Sequence, residues 1–136
     1  MAKYKNDLRP EAAHRWLKKG KEEYSSAVLN LKFGGYPDTI CFLAHQAGEK
    51  ILKGFLVFHG IKFRKEHDLT YLLKLCAKVD EDFLELKENC KILGPYYIET
   101  RYPLDIPTTY SKEQVEQAVD LAQEIVEFVE KKTILS

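Results

Sequence analysis

Apolar residues along this 136-residue chain recur in steps of three and four, the spacing of one face of an α-helix. Ala13, Trp16, Leu17, Gly20, Tyr24, Ala27, Val28 and Leu31 form the first stripe, and the Gly-Gly-Tyr-Pro-Asp stretch at 34–38 ends it. Pro10 suits a first turn, where its missing N–H costs nothing, so the spacing predicts a helix of about six turns starting there. Asp38 is expected to cap a second helix bearing Ile40, Leu43, Ala44, Ala47, Ile51, Phe55 and Phe58, with Gly60 as its C-terminal glycine. Asp68 is placed to cap a short third helix carrying Leu69, Leu72, Leu73 and Cys76. Asp80 opens a fourth, whose packing seam is Phe83, Leu86, Cys90, Leu93 and Tyr97. Gly94–Pro95 predicts a kink or break there, followed by one or two more turns, and Pro103 closes the element. Ser111 and Gln114 form a capping box for a last helix with Val115, Ala118, Val119, Ala122, Ile125, Val126 and Val129 on one face and acids on the other. No stretch alternates with the period of a strand. The pattern predicts an all-α, up-and-down bundle of four to five helices in a single domain over 1–136.

Composition narrows the class. Apolar residues are 45% and charged residues 31% of the chain, the balance of a water-soluble globular domain. No apolar run reaches the ~18 residues that span a bilayer, and the opening Met-Ala-Lys-Tyr-Lys-Asn-Asp has no signal-peptide core, so a cytoplasmic protein is expected. Cys41, Cys76 and Cys90 are widely spaced within apolar stretches and are read as buried thiols, not as a metal site or a disulfide framework.

Formal net charge is zero, which argues against a general nucleic-acid coat, but the charge is uneven. Residues 1–21 hold seven Lys/Arg against two acids, and 50–65 hold Lys50, Lys53, Lys62, Arg64 and Lys65 with no acid. A local basic patch can face a phosphate; an ordinary solvated helix face fits the same pattern.

Three stretches can carry chemistry. In His-Gln-Ala-Gly-Glu-Lys at 45–50, His45 and Glu49 share a helix face, Glu49 and Lys53 share it again, and Gln46 and Lys50 line the adjacent strip. Such a stripe binds a polar ligand or forms Glu–Lys pairs on a surface or interface, and the pairing is the commoner use. Two ligands at this spacing fall short of a zinc site, so no metal and no cofactor is expected. His67 precedes the helix that Asp68 caps, either as part of the cap or facing a cleft with the basic loop before it. In Tyr-Ile-Glu-Thr-Arg-Tyr-Pro-Leu-Asp at 97–105, Tyr97 and Arg101 are one turn apart. Arg101 at a helix C-terminus can bond Glu99, Asp105 or free carbonyls; its guanidinium fork can also grip a phosphate. Spacing alone favours the structural use. Cys41 and His45 share a face, but Cys41 lies between Ile40 and Phe42 and is read as an inert thiol.

In order, the first helix with its Trp, the stretch from Gly34 to Ile61, Glu-His-Asp-Leu-Thr-Tyr-Leu-Leu at 66–73, the 97–105 stretch and the amphipathic last helix resemble the HEPN domain (higher eukaryotes and prokaryotes nucleotide-binding). The resemblance covers about residues 10–131. It implies a helical bundle acting as a homodimer, often beside a minimal nucleotidyltransferase in toxin–antitoxin or nucleotide-handling pairs. Many members are metal-independent endoribonucleases whose signature is an Arg followed four to six residues later by a His. Arg101 matches the signature Arg, and no His follows it in this chain. The resemblance therefore implies a nucleotide- or RNA-phosphate-binding module, with Arg101, Tyr97, Tyr102, His45, Gln46, Glu49 and Lys53 as candidate ligand contacts. A ribonuclease would need Arg101 with His67 or Asp105, because an acid–base group must reach its proton. A dimeric scaffold without a ligand is the third alternative.

Overall fold

The computed structural model describes residues 2–103 and 109–134, and side chains over 10–103 and 109–133. In chain order the helices are α1 (Ala2–Lys32), α2 (Pro37–Phe58), α3 (Leu69–Val79), a 3₁₀ segment (Glu81–Leu86), α4 (Lys87–Leu93), α5 (Tyr96–Glu99) and α6 (Lys112–Ile134). No strand occurs among the described residues, and none of their helices is long and apolar enough to cross a membrane.

Two boundaries differ from the sequence expectation. Pro10 lies inside α1, which already runs from Ala2. A proline within a helix costs one backbone bond and is tolerated where its ring does not force a break, so it does not mark the start. Asp38 is not the N-cap of α2: Tyr36 holds that position with extended backbone, and Pro37 takes the first helical place. Asp38 sits in the first turn, where its charge still favours the positive end of the helix dipole.

The other punctuation is as the residues dictate. Gly34 and Gly60 have positive φ of 78° and 69°, the left-handed conformation that glycine adopts without strain. The residue after each glycine sends its amide back into the last helical turn: Gly35 N–H to the Asn30 carbonyl, and Ile61 N–H to the Leu56 carbonyl. Both α1 and α2 thus end in Schellman turns. Asp68 Oδ1 accepts from the Thr70 amide at 2.9 Å, and Ser111 and Gln114 bond reciprocally at 2.9 and 3.1 Å.

α2 is the central helix. The sequence marks one apolar stripe on it, yet Cys41, His45, Gly48, Glu49, Leu52, Lys53, Gly54 and Leu56 are buried as well, because α1 and α6 pack on it from two sides and α3 from another. The α1–α2 approach is close. A Cβ at Gly54 would lie 2.7 Å from Leu17 Cδ2, so any larger residue would force the Leu17 side chain to shift.

The 80–99 segment breaks up more than its seam suggests. Asp80 caps a 3₁₀ segment, not an α-helix, and α4 ends at the Gly94–Pro95 turn as expected. Phe83, Leu86, Cys90 and Leu93 are in the core. The break advances the register, so Tyr96 enters the core in place of Tyr97. Tyr97 turns outward to the site described below. The last helix buries all seven residues of its predicted face.

Candidate functional site

The site is built from the middle of α2, the loop before α3, and α5 with the residues after it. Glu49 and Lys53, one turn apart on α2, form an ion pair of 2.9 Å with Glu49 2% and Lys53 8% side-chain exposed. The expected surface pair is therefore a buried one. The Lys53 ammonium also lies 5.6 and 5.7 Å from the ring centroids of Trp16 and Phe63, which meet edge to face. Rings around a partly dry ammonium replace some of the hydration it has lost.

The other oxygen of Glu49 accepts from His67 Nδ1–H at 2.9 Å. This fixes the ring's orientation and leaves Nε2 without a partner among the described residues, on a side chain that is 49% exposed. His67 stacks on Tyr97 with centroids 4.1 Å apart and planes at 13°. Tyr97 in turn accepts a 2.6 Å bond from Arg101 Nη1–H through its hydroxyl. The Arg101 guanidinium lies 5.0 Å from the Tyr97 ring, 5.7 Å from Phe42 and 5.6 Å from Tyr102. Arg101 is exposed, and a guanidinium carries further N–H donors beyond the one spent on Tyr97. One tyrosine thereby holds His67 and Arg101, far apart in sequence, against the same ring.

His45 lies beneath, fully buried, with its ring 5.4 Å from that of Tyr97. Its Nε2 is 3.0 Å from the His67 carbonyl oxygen, which only accepts, so Nε2 carries the proton. Burial pushes its pKa down, so the ring is neutral and Nδ1 is an acceptor. The atom 3.0 Å from Nδ1 is placed as the Gln46 amide oxygen; an acceptor Nδ1 requires the near-isosteric amide to be turned so that its NH₂ end donates. His45 thus pins the loop that presents His67; it does not face the solvent itself.

Of the sequence candidates, the structure brings together Arg101, Tyr97, Tyr102, His67, Glu49 and Lys53, with His45 and Gln46 in support. Lys50 leaves the group and pairs with Glu23 of α1 at 2.9 Å. Glu99, a suggested partner of Arg101, accepts instead from the Tyr110 hydroxyl at 3.2 Å. Asp105 lies outside the described residues. Phe42, Trp16 and Phe63 are not singled out as site residues by the sequence; Phe42 precedes Gln46 by one turn and stands beside His45 on the helix surface, which was the available signal. The three thiols are buried, and burial pushes Cys41 and Cys90 up to about 12, far from a reactive thiolate. No group of three His, Cys, Asp or Glu side chains suited to a metal occurs among the described residues.

No curated protein matches the chain. Among solved structures, TT1696 from Thermus thermophilus is 37% identical over 88% of this chain and 97% of its own, with a TM-score of 0.74. ST0689, described as an archaeal HEPN homologue, has the same fold at 24% identity, with a TM-score of 0.72 over 88% of this chain and 96% of its own. The HEPN domain model matches residues 13–132, and the chain belongs to the HEPN domain family.

Proposed function

We propose that this HEPN domain binds the phosphate of a nucleotide or an RNA through Arg101. The observation that carries the reading is the exposed Arg101 guanidinium, steadied over three aromatic rings and joined through Tyr97 to His67. A guanidinium held in one orientation gives a phosphate two parallel donors with less ordering cost. Exposed Tyr102 offers a ring face to an adjoining base. Exposed Leu29, Phe33, Tyr36 and Ile98 support a homodimer as the working form, since apolar side chains left in water favour a protein contact. The pairing with a minimal nucleotidyltransferase is part of the same proposal and rests on the family resemblance; co-purification with such a partner tests it.

Titration with AMP and a short RNA tests the reading. Arg101→Ala is expected to weaken binding at least ~10-fold, the lower end of losing a charge-assisted pair, with the melting temperature unchanged. Unchanged affinity would reject Arg101 as the phosphate contact. A second reading, metal-independent RNA cleavage, is favoured by Glu49 orienting His67 with Nε2 left for proton transfer. RNA cleavage in EDTA that is lost in both His67→Gln and Arg101→Ala would establish it.

A further inference from the structure

A phenolic hydroxyl has one proton to give as well as lone pairs that accept. Tyr97 accepts from Arg101 Nη1–H at 2.6 Å, and its own proton has no acceptor among the described residues. Arg101 makes no ion pair among them either: Glu99, two residues away, takes the Tyr110 hydroxyl, and the guanidinium has N–H donors to spare. Two atoms with protons to give thus lie side by side, at close to the separation of two oxygens on one phosphorus. Accepting from a cation also polarises the hydroxyl and strengthens it as a donor. Its position is fixed, because the half-buried ring stacks on His67 at 4.1 Å and lies 5.4 Å from buried His45 and 6.1 Å from Phe42. A donor held in this way needs little ordering when an anion arrives.

We infer that Tyr97 is a specificity-determining contact: its O–H is a third donor beside the Arg101 fork, and together they select a phosphomonoester over a phosphodiester. The inference rests on the Arg101 reading above and adds the second contact and the kind of phosphate. A monoester offers three unesterified oxygens and, above its second ionisation near pH ~6, two charges. A diester offers two such oxygens and one charge. The two-pronged guanidinium already satisfies that diester, so the Tyr97 proton is left over. Were Tyr97 only a fastener for the residues after α5, its hydroxyl would steady the fold and be indifferent to the number of ester bonds.

The test compares AMP with its phosphate methyl ester, which has the same base and sugar and caps one phosphate oxygen. Calorimetric titration is run at about pH 8, where the monoester carries both charges. Three proteins are used: wild type, Tyr97→Phe and Arg101→Ala. Phenylalanine keeps the ring on His67 and removes only the oxygen, and a circular-dichroism melt confirms that each variant is folded. Wild type is expected to prefer AMP, and Arg101→Ala to weaken both ligands at least ~10-fold. Tyr97→Phe is expected to weaken AMP at least ~10-fold, the lower end for a hydrogen bond to a charged group, and the methyl ester less than ~3-fold, so that most of the preference is lost. Equal weakening of both ligands by Tyr97→Phe would overturn the inference, making Tyr97 a support for Arg101 and leaving the Arg101 reading in place. AMP affinity that Tyr97→Phe does not move, while Arg101→Ala does, would overturn it in the same way. Affinities that Arg101→Ala leaves unchanged would overturn the Arg101 reading and the inference with it.

Discussion

Replacing either member of the Glu49–Lys53 pair should be among the most damaging single changes in this protein. At 2.9 Å and an effective dielectric of about 20, the two charges attract by roughly 6 kcal/mol. Drying each ion costs several kcal/mol, so the intact pair adds little net stability. Removing one partner leaves that cost uncompensated. Glu49→Leu strands an ammonium beside Trp16 and Phe63; Lys53→Met strands a carboxylate that keeps the His67 hydrogen bond, with neutral His45 4.0 Å away. Each single change is expected to cost about 3–5 kcal/mol. For a chain of this length that lowers the melting temperature by roughly 12–20 °C. The double variant should recover most of the loss, to within about 2 kcal/mol of wild type, because half-exposed His67 can find water in place of Glu49. Urea denaturation of the four proteins closes the cycle, and Trp16, the sole tryptophan, reports on the neighbourhood being altered. Single changes costing under ~1 kcal/mol, or costs that simply add, would show that the pair is wet and would refute the reasoning.

His45, held neutral by burial, has a folded pKa below that of the unfolded chain, so stability should be full above about pH 6.5 and fall as pH drops below it; His45→Gln should flatten the melting temperature between about pH 7 and 5. Asp80 is also shifted down, but because its charged form is favoured: the Lys132 hydrogen bond holds its carboxyl below the usual range. Its contribution is present above about pH 4 and lost as pH falls through the folded value, so Asp80→Asn should lessen the acid sensitivity of melting below about pH 4. Asp68→Ala removes the side-chain acceptor at the start of α3 and should cost ~1 kcal/mol by urea denaturation; a loss below a few tenths would mean that water replaces the cap.

The helices were legible because their signals are local. Stripes at steps of three and four, Gly60 after α2, Asp68 before α3 and the Ser111–Gln114 box each act within a few residues. The misplacements were local ambiguities: Pro10 is compatible with a first turn and with a tolerated interior position, and Asp38 competes with a Pro37 that already fixes the first helical residue. The burial of Glu49 and Lys53 was not legible, because a pair one turn apart reads the same on a wet face and under a neighbouring helix. Only the packing of Trp16 and Phe63 over Lys53 distinguishes them. The candidate residues near 45–53 and 97–102 could be named in advance, but their union depends on the Gly94–Pro95 break.

The two halves of the site are anchored unequally. Glu49 and His45 belong to the helix that every other long element covers, and amides there should exchange with solvent hydrogen only when the whole protein opens. Arg101 follows a four-residue helix and is held chiefly through Tyr97. Its amides should exchange by local opening, so the site pairs a fixed anvil with a hinged grip. A ligand reaching it would meet His67 already in place and would slow exchange around Arg101 as it binds.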